Sequence, residues 1–186
     1  MRVIKGVSRA LLLALVCFAL SVGVVFLTGN FHTVIGGQLY RSAQPSAEQI
    51  VDWHERYGIK TIINLRGSHP NQNWYRVERA TAREYGIELI DYKLSAKREL
   101  TSPQVEELLA ILAQSKPPVL IHCLDGADRS GLVSAFYVAG VAKGSEYYAE
   151  LQLTPLYGHI PFWFAPYYAM DRSFENAEPR LGFPDS

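Results

Sequence analysis

The sequence predicts an α/β fold in which short apolar strands alternate with amphipathic helices, preceded by an apolar segment long enough to cross a membrane. Three observations carry this prediction. Apolar runs of strand length at 59–65, 87–94 and 119–121 are separated by stretches with helical spacing. Helix start and stop signals bracket those stretches: Ser46 with Gln49 as a capping box, Gly58 and Gly86 as stops, and Ser102-Pro103 as a start. Residues 10–29 carry no charged side chain over 20 positions, the length of a membrane-crossing helix.

Bulk properties narrow the function. A chain of 186 residues can build one domain with a proper core. Lys plus Arg equals Asp plus Glu at 18 each, so no basic excess points to nucleic acid. Two cysteines, Cys17 in the apolar stretch and Cys123 far from it, make no disulfide framework. Arg2, Lys5 and Arg9 flank the apolar segment with no acid beside them. That bias puts the N-terminus in the cytoplasm and the following domain across the membrane. A cleaved signal peptide is the rival reading, but residues 26–30 offer no small-residue cut site. The expected organisation is a membrane anchor at 1–29 and one folded domain at 30–186. In a bacterium this is a single-pass inner-membrane protein whose domain faces the periplasm.

The domain then reads element by element. Gly36-Gly37 makes a turn before a short strand at 38–40. A helix runs from Ser46 to Tyr57, followed by a buried strand at 59–65 and a polar loop at 67–73. Residues 74–85 form a helix, and 87–94 a strand with Ile87, Leu89 and Ile90 facing in. Residues 95–100 are a loop. The helix starting at Ser102-Pro103 keeps Val105, Leu108, Leu109 and Leu112 on one face. Residues 132–142 are almost uniformly apolar, a buried helix too short to span a membrane. A Ser-capped helix covers 145–153. The aromatic tail with Phe162, Trp163, Phe164, Tyr167 and Tyr168 is expected to pack against the sheet; a membrane-contacting patch is the alternative.

The chemistry concentrates at residues 122–131, between the strand at 119–121 and the apolar helix. Cys123 opens a tight loop, and Arg129 closes it six residues later. A loop curled over a helix N-terminus turns its backbone N–H groups into one hollow, where the helix dipole adds partial positive charge. The hollow suits a tetrahedral oxyanion. Arg129 can grip two of its oxygens, and Cys123 sits where the field favours a nucleophilic thiolate. A buried structural cysteine beside an unrelated arginine is the plainer alternative.

The run His122-Cys123-Leu124-Asp125-Gly126-Ala127-Asp128-Arg129-Ser130-Gly131 resembles the signature loop of the cysteine-dependent tyrosine and dual-specificity phosphatases. It is most similar to the bacterial atypical dual-specificity-like branch. Tyr40-Arg41-Ser42-Ala43-Gln44-Pro45 resembles the opening motif of the same branch, and Asn64-Leu65-Arg66 a strand end at which the family often has Asp for Asn.

The resemblance implies a three-layer fold with a mostly parallel central sheet flanked by helices. It implies phosphomonoester hydrolysis through a cysteinyl-phosphate on Cys123, with Arg129 and the loop from Leu124, Asp125, Gly126 and Ala127 to Ser130 holding the phosphate. Ser130 would hydrogen-bond the sulfur, and His122 would order the loop. No metal and no cofactor are called for. The family's lid Asp has no counterpart at 95–100, which leaves Asp128, Glu99 and Asp91, in that order, as candidate general acids. Arg41, Arg66 and His69 are candidate pocket residues, each with a structural alternative, and Lys97 and Arg98 either meet an anionic substrate or are solvated.

The implied partner is a phosphorylated protein, with a tyrosine or dual-specificity activity. An inositol phosphate or small-metabolite phosphatase is the alternative, and a weakly active phospho-binding module a third reading. The absence of Lys at position 124, with Asp125 and Asp128 in the loop, weighs against a highly charged phosphoinositide.

Overall fold

The computed structural model describes residues 28–183. The segment expected to anchor the chain, 1–29, thus lies almost wholly outside the described residues. Among those residues no helix is long and apolar enough to cross a membrane.

Five strands form one mixed sheet: β1 (His32–Ile35), β2 (Leu39–Ser42), β3 (Thr61–Asn64), β4 (Glu88–Asp91) and β5 (Val119–His122), in the order β1-β2-β5-β3-β4. β1 pairs antiparallel with β2, and every other pairing is parallel. The mostly parallel sheet flanked by helices is therefore present, and β1 adds an antiparallel edge that the sequence reading left as an unassigned entry segment. The register places Ser42, His122, Asn64 and Asp91 side by side. The carboxyl ends of four strands are thus level, where an open α/β sheet forms its ligand crevice.

The side-chain alternation of strands divides the core in two. Leu39, Ile63, Val119 and Ile121 point to one face, and Tyr40, Ile62 and Leu120 to the other. On the second face lie α1 (Ala47–Tyr57), through Ile50 and Trp53, and α2 (Asn73–Glu84), through Ala82. Ser46 and Gln49 close the expected capping box on α1, and Gly58 ends it in the left-handed conformation. The first face carries α3 (Ser102–Gln114), α4 (Asp128–Phe136), α5 (Glu146–Glu150) and α6 (Ala169–Glu175). α7 (Glu178–Leu181) follows.

Three details depart from the sequence reading. The cap of α3 is Thr101, one residue earlier than expected, because its side chain and Gln104 make the reciprocal box and Pro103 then sits in the first turn. The helix after the signature loop begins inside it, at Asp128, and opens into a π-turn at Tyr137–Val141 in which the Ala142 N–H donates to the Tyr137 carbonyl. The aromatic tail does not pack against the sheet. Met170 and Phe174 of α6 already cover that face, with the Phe174 ring 6.1 Å from Phe136. Phe162, Trp163 and Phe164 are left exposed.

This division has a measurable consequence. Leu120 is fully buried and Trp163 is 78% exposed. Leu120→Ala should lower the unfolding free energy by ~2–5 kcal/mol, and Trp163→Ala should change it by ~0.5 kcal/mol or less. Denaturant titration of both variants checks this; a large loss for Trp163→Ala would place its ring in the core.

Candidate active site

β5 delivers His122 and Cys123 to the crevice, and α4 rises from it. The first intrahelical bond of α4 runs from the Gly131 N–H to the Ala127 carbonyl. The N–H groups of Asp128, Arg129 and Ser130 therefore have no intrahelical acceptor and face the loop's hollow. Cys123 lies at the bottom, 2% exposed, with its Sγ accepting from the Gly126 N–H at 3.3 Å and 3.6 Å from the Ser130 hydroxyl. Leu124 and Asp125 stand exposed at the mouth. Arg129 donates to the Leu65 carbonyl at 3.3 Å, which ties the closing arginine to the end of β3.

The loop needs glycine at two points. Gly126 has φ +73°, and a Cβ there would lie 2.5 Å from the Ala43 nitrogen. At Gly131 a Cβ would meet the Gln152 carbonyl at 2.7 Å.

The Tyr40–Pro45 motif proves to be the loop's scaffold. Arg41, fully buried, donates to the carbonyls of Gly126 (3.0 Å), Ala127 (2.8 Å) and Gln152 (2.7 Å), and its guanidinium lies 4.5 Å from the centre of the Tyr157 ring. Burial lowers its pKa to about 10, against which the charges of Cys123, Tyr157 and Asp128 favour the cation, so it is charged at neutral pH. Arg41 is thus neither a substrate contact nor half of an ion pair, the two roles considered from the sequence; it fixes the loop by hydrogen bonds to carbonyls. The Gln44 backbone N–H donates to the Leu124 carbonyl at 3.1 Å.

Two buried acid–histidine contacts flank the loop, and the sequence reading paired neither histidine with its acid. His122 Nε2 lies 2.6 Å from Glu78 of α2, both side chains fully buried. Gln44 donates to the other Glu78 oxygen at 3.0 Å, and Arg66 donates to Gln44 at 2.7 Å while its guanidinium lies 3.5 Å over the Trp74 ring. A usable signal existed: Glu78 falls in the apolar register of Tyr75 and Ala82, where an unpaired acid would be costly. On the other flank, His159 is fully buried and bonds Asp128 at 2.7 Å through Nδ1 and Asp171 of α6 at 2.9 Å through Nε2. Burial alone would lower the His159 pKa, but the hydrogen bonds and charges of the two carboxylates outweigh it and raise it to about 9. No motif links 128, 159 and 171, so only folding brings them together.

The remaining candidates sort by their partners. Burial and, after it, the charge of Arg129 hold the Arg66 pKa below its ordinary value. His69 bonds the Arg66 carbonyl at 3.2 Å and supports that turn. Asn64, in the position the family often gives to Asp, accepts from the Arg66 N–H and donates to Gly67 and Asp91, so it shapes the turn. Asp91 also accepts from the Tyr75 hydroxyl and is occupied structurally. Glu99 is held by Arg172 and Asn176 on the far side of the 95–100 loop. Lys97 lies 5.4 Å from the Tyr167 ring, and Arg98 lines a cavity with Lys93 and Glu99 that contains no signature-loop residue. Of the three candidate acids, Asp128 is the one built into the loop.

Residues 31–159 match the family model described as "DSP-PTPase phosphatase fused to NAD+ Kinase". The inositol diphosphatase SIW14 of Saccharomyces cerevisiae is 31% identical over 108 residues, which are 55% of this chain and 36% of that protein, so the match spans about a third of the relative's length. Among solved structures, Pseudomonas aeruginosa TpbA, in a cysteine-to-serine form with phosphotyrosine, superposes with a TM-score of 0.63 at 20% identity over 85% of this chain and 92% of that one. The catalytic core of S. cerevisiae SIW14 with citrate gives a TM-score of 0.58 at 21% identity over 83% and 93%.

The His159 contacts predict a pH dependence of stability. The histidine's pKa rises from an ordinary 6.5 to about 9 on folding. Its contribution is therefore complete below about pH 6.5 and is lost as pH rises through about 9. Thermal melts of the native chain and His159→Gln should differ most below pH 6.5 and converge above 9. Parallel curves over that range would mean that His159 is not held as the cation.

Proposed function

The chain belongs to the DSP-PTPase family of cysteine-dependent phosphatases, and on that premise we propose that it hydrolyses phosphomonoesters through a cysteinyl-phosphate on Cys123. The observation that carries this reading is the position of the Cys123 sulfur, which accepts from the Gly126 N–H at 3.3 Å and lies 3.6 Å from the Ser130 hydroxyl in the first turn of α4. In the first step the thiolate attacks phosphorus in line: the S–P bond forms and the P–O bond to the leaving group breaks. Arg129 and the loop N–H groups carry the charge on the three equatorial oxygens. The leaving oxygen takes a proton from Asp128, and Asp128 takes its proton in turn from the His159 cation across their hydrogen bond. In the second step water attacks the phosphorus and gives its proton back to Asp128, while the S–P bond breaks with the Ser130 hydroxyl supporting the departing thiolate. Phosphate leaves and the enzyme is restored.

Asp128 is the preferred acid because it is in the loop, whereas Glu99 is tied to Arg172 and Asp91 to Tyr75 and Asn64. His159 holds one Asp128 oxygen and leaves the other for the substrate. It acts as a positioning residue.

The substrate class favoured is a phosphorylated tyrosine, or more broadly a phosphorylated protein side chain. The mouth carries Leu124 and Asp125 rather than basic residues, and the similar TpbA fold binds phosphotyrosine. A second reading, an inositol phosphate, is favoured by the SIW14 relative. We also propose that residues 1–29 anchor the chain in the cell membrane, with the domain on the extracytoplasmic face. The uncharged 20-residue span and its basic flank support this.

Cys123→Ser should abolish turnover of a small aryl phosphate; retained activity would overturn the mechanism. Asp128→Asn should slow substrates with poor leaving groups by ~10²–10⁴-fold and spare those with good ones, while Glu99→Gln should do neither. Equal losses on both substrate types would remove Asp128 from the acid's role. A screen over phosphopeptides and inositol phosphates decides between the two substrate readings.

A further inference from the structure

Residues 151–170 contain no Asp, Glu, Lys or Arg. Within this stretch Ile160, Phe162, Trp163 and Phe164 project into solvent, with Trp163 78% and Phe164 70% exposed. The projection is not slack. The Phe162 and Phe164 rings stack at 5.4 Å with 6° between their planes, and Trp163 meets Phe164 edge-on. Backbone bonds from Phe162 to Ile160 and from Ala165 to Phe162 hold the tip, and His159 is buried between Asp128 and Asp171 at its base. A rigid, uncharged aromatic projection exposed to water is costly unless something covers it.

Its position identifies the cover. The described chain begins at Thr28, at the end of the uncharged 10–29 span. Two residues later the Asn30 side chain donates to the Tyr157 carbonyl at 3.1 Å and the Asp125 carbonyl at 2.9 Å. Gly29 and Asn30 line a cleft of about 410 Å³ together with Leu124, Asp125 and Gly158. The chain therefore leaves toward its apolar segment between the active-site mouth and the base of the aromatic loop. If the span crosses the bilayer, Asn30 lies at the bilayer boundary, and so does the loop bonded to it.

We infer that the aromatic loop of residues 156–167 seats in the headgroup layer of the membrane that holds the chain's own N-terminal segment, turning the mouth at Leu124 and Asp125 toward that surface. This rests on the anchor proposed above. Tryptophan and tyrosine suit that layer because a large apolar ring and a polar tip are both satisfied there, and Lys97 beside Tyr167 supplies a cation at the rim for lipid phosphate. The consequence is a substrate range: phosphate esters presented close to the bilayer surface reach Cys123, and those deep in the aqueous phase reach it less readily.

The test uses the full chain, one copy per phosphatidylcholine nanodisc, with lipids brominated near the headgroup end of their acyl chains. The Trp163 emission is isolated by subtracting the spectrum of Trp163→Phe, a change at an exposed ring that leaves the fold intact. The expected result is that bromolipid quenches this component while aqueous iodide does not, and that most of the bromolipid quenching is lost in Trp163→Phe. Quenching by iodide alone, or shielding from both quenchers, overturns the inference. An alkaline carbonate wash of vesicles separates the two layers of the argument. Release of the chain overturns the anchor and this inference with it, whereas retention without bromolipid quenching overturns this inference alone.

Discussion

Arg41 reaches from β2 across the sheet and turns the carbonyls of Gly126 and Ala127 toward itself. A loop's carbonyls and amides point in opposite directions, so holding the carbonyls on the outside leaves the amides for the hollow. A guanidinium taken wholly out of water carries a large desolvation cost. Here three carbonyls and the face of Tyr157 offset it. The loop's shape is thus set by a buried cation whose hydrogen bonds go to protein oxygens. Much of the local architecture follows from this: Gln152 must sit where a short 3₁₀ turn follows α5, and Gly131 must lack a side chain so that the turn can approach.

The two histidine contacts extend the same logic outward. Through Glu78, His122 links the strand entering the loop to α2, Gln44, Arg66 and Trp74. Through Asp128 and Asp171, His159 links the first turn of α4 to α6. The loop is therefore held on three sides by buried polar groups that bond to it, although the Nε of Arg41 is buried without a hydrogen-bond partner. Such an arrangement favours one geometry over nearby alternatives, because moving any member strands another. Preorganisation of this kind is what a site stabilising developing phosphoryl charge requires.

The aromatic loop joins this framework through His159, so the group that orients Asp128 also fixes the base of the exposed projection. Catalytic geometry and surface presentation then share one buried residue. The cleft between Asn30 and Gly158 places the chain's entry point beside both.

Local chemistry made much of this protein legible before folding. The capping box at Ser46 and the left-handed stop at Gly58 depend on a few neighbouring residues, and they stand as read. The strand–loop–helix around Cys123 was equally clear, since a five-residue loop between Cys123 and Arg129 joins the strand to the helix. The edge strand β1 was missed because four residues with no alternation carry little signal. The aromatic tail was misplaced because hydrophobicity says that a residue prefers cover, not which cover is vacant; α6 had already taken the sheet face. Residues 95–100 contain no Asp, and only the fold shows that the one acid there, Glu99, is committed to Arg172. By itself, the sequence determined the make-up of the loop: a cysteine straight after the strand, an arginine six residues on, and Asp128 and Ser130 on either side of that arginine. The tertiary structure alone decided what holds that loop, because Arg41, Glu78, His159 and Asp171 are distant along the chain, and a buried charge declares its partner only when packing brings the two together.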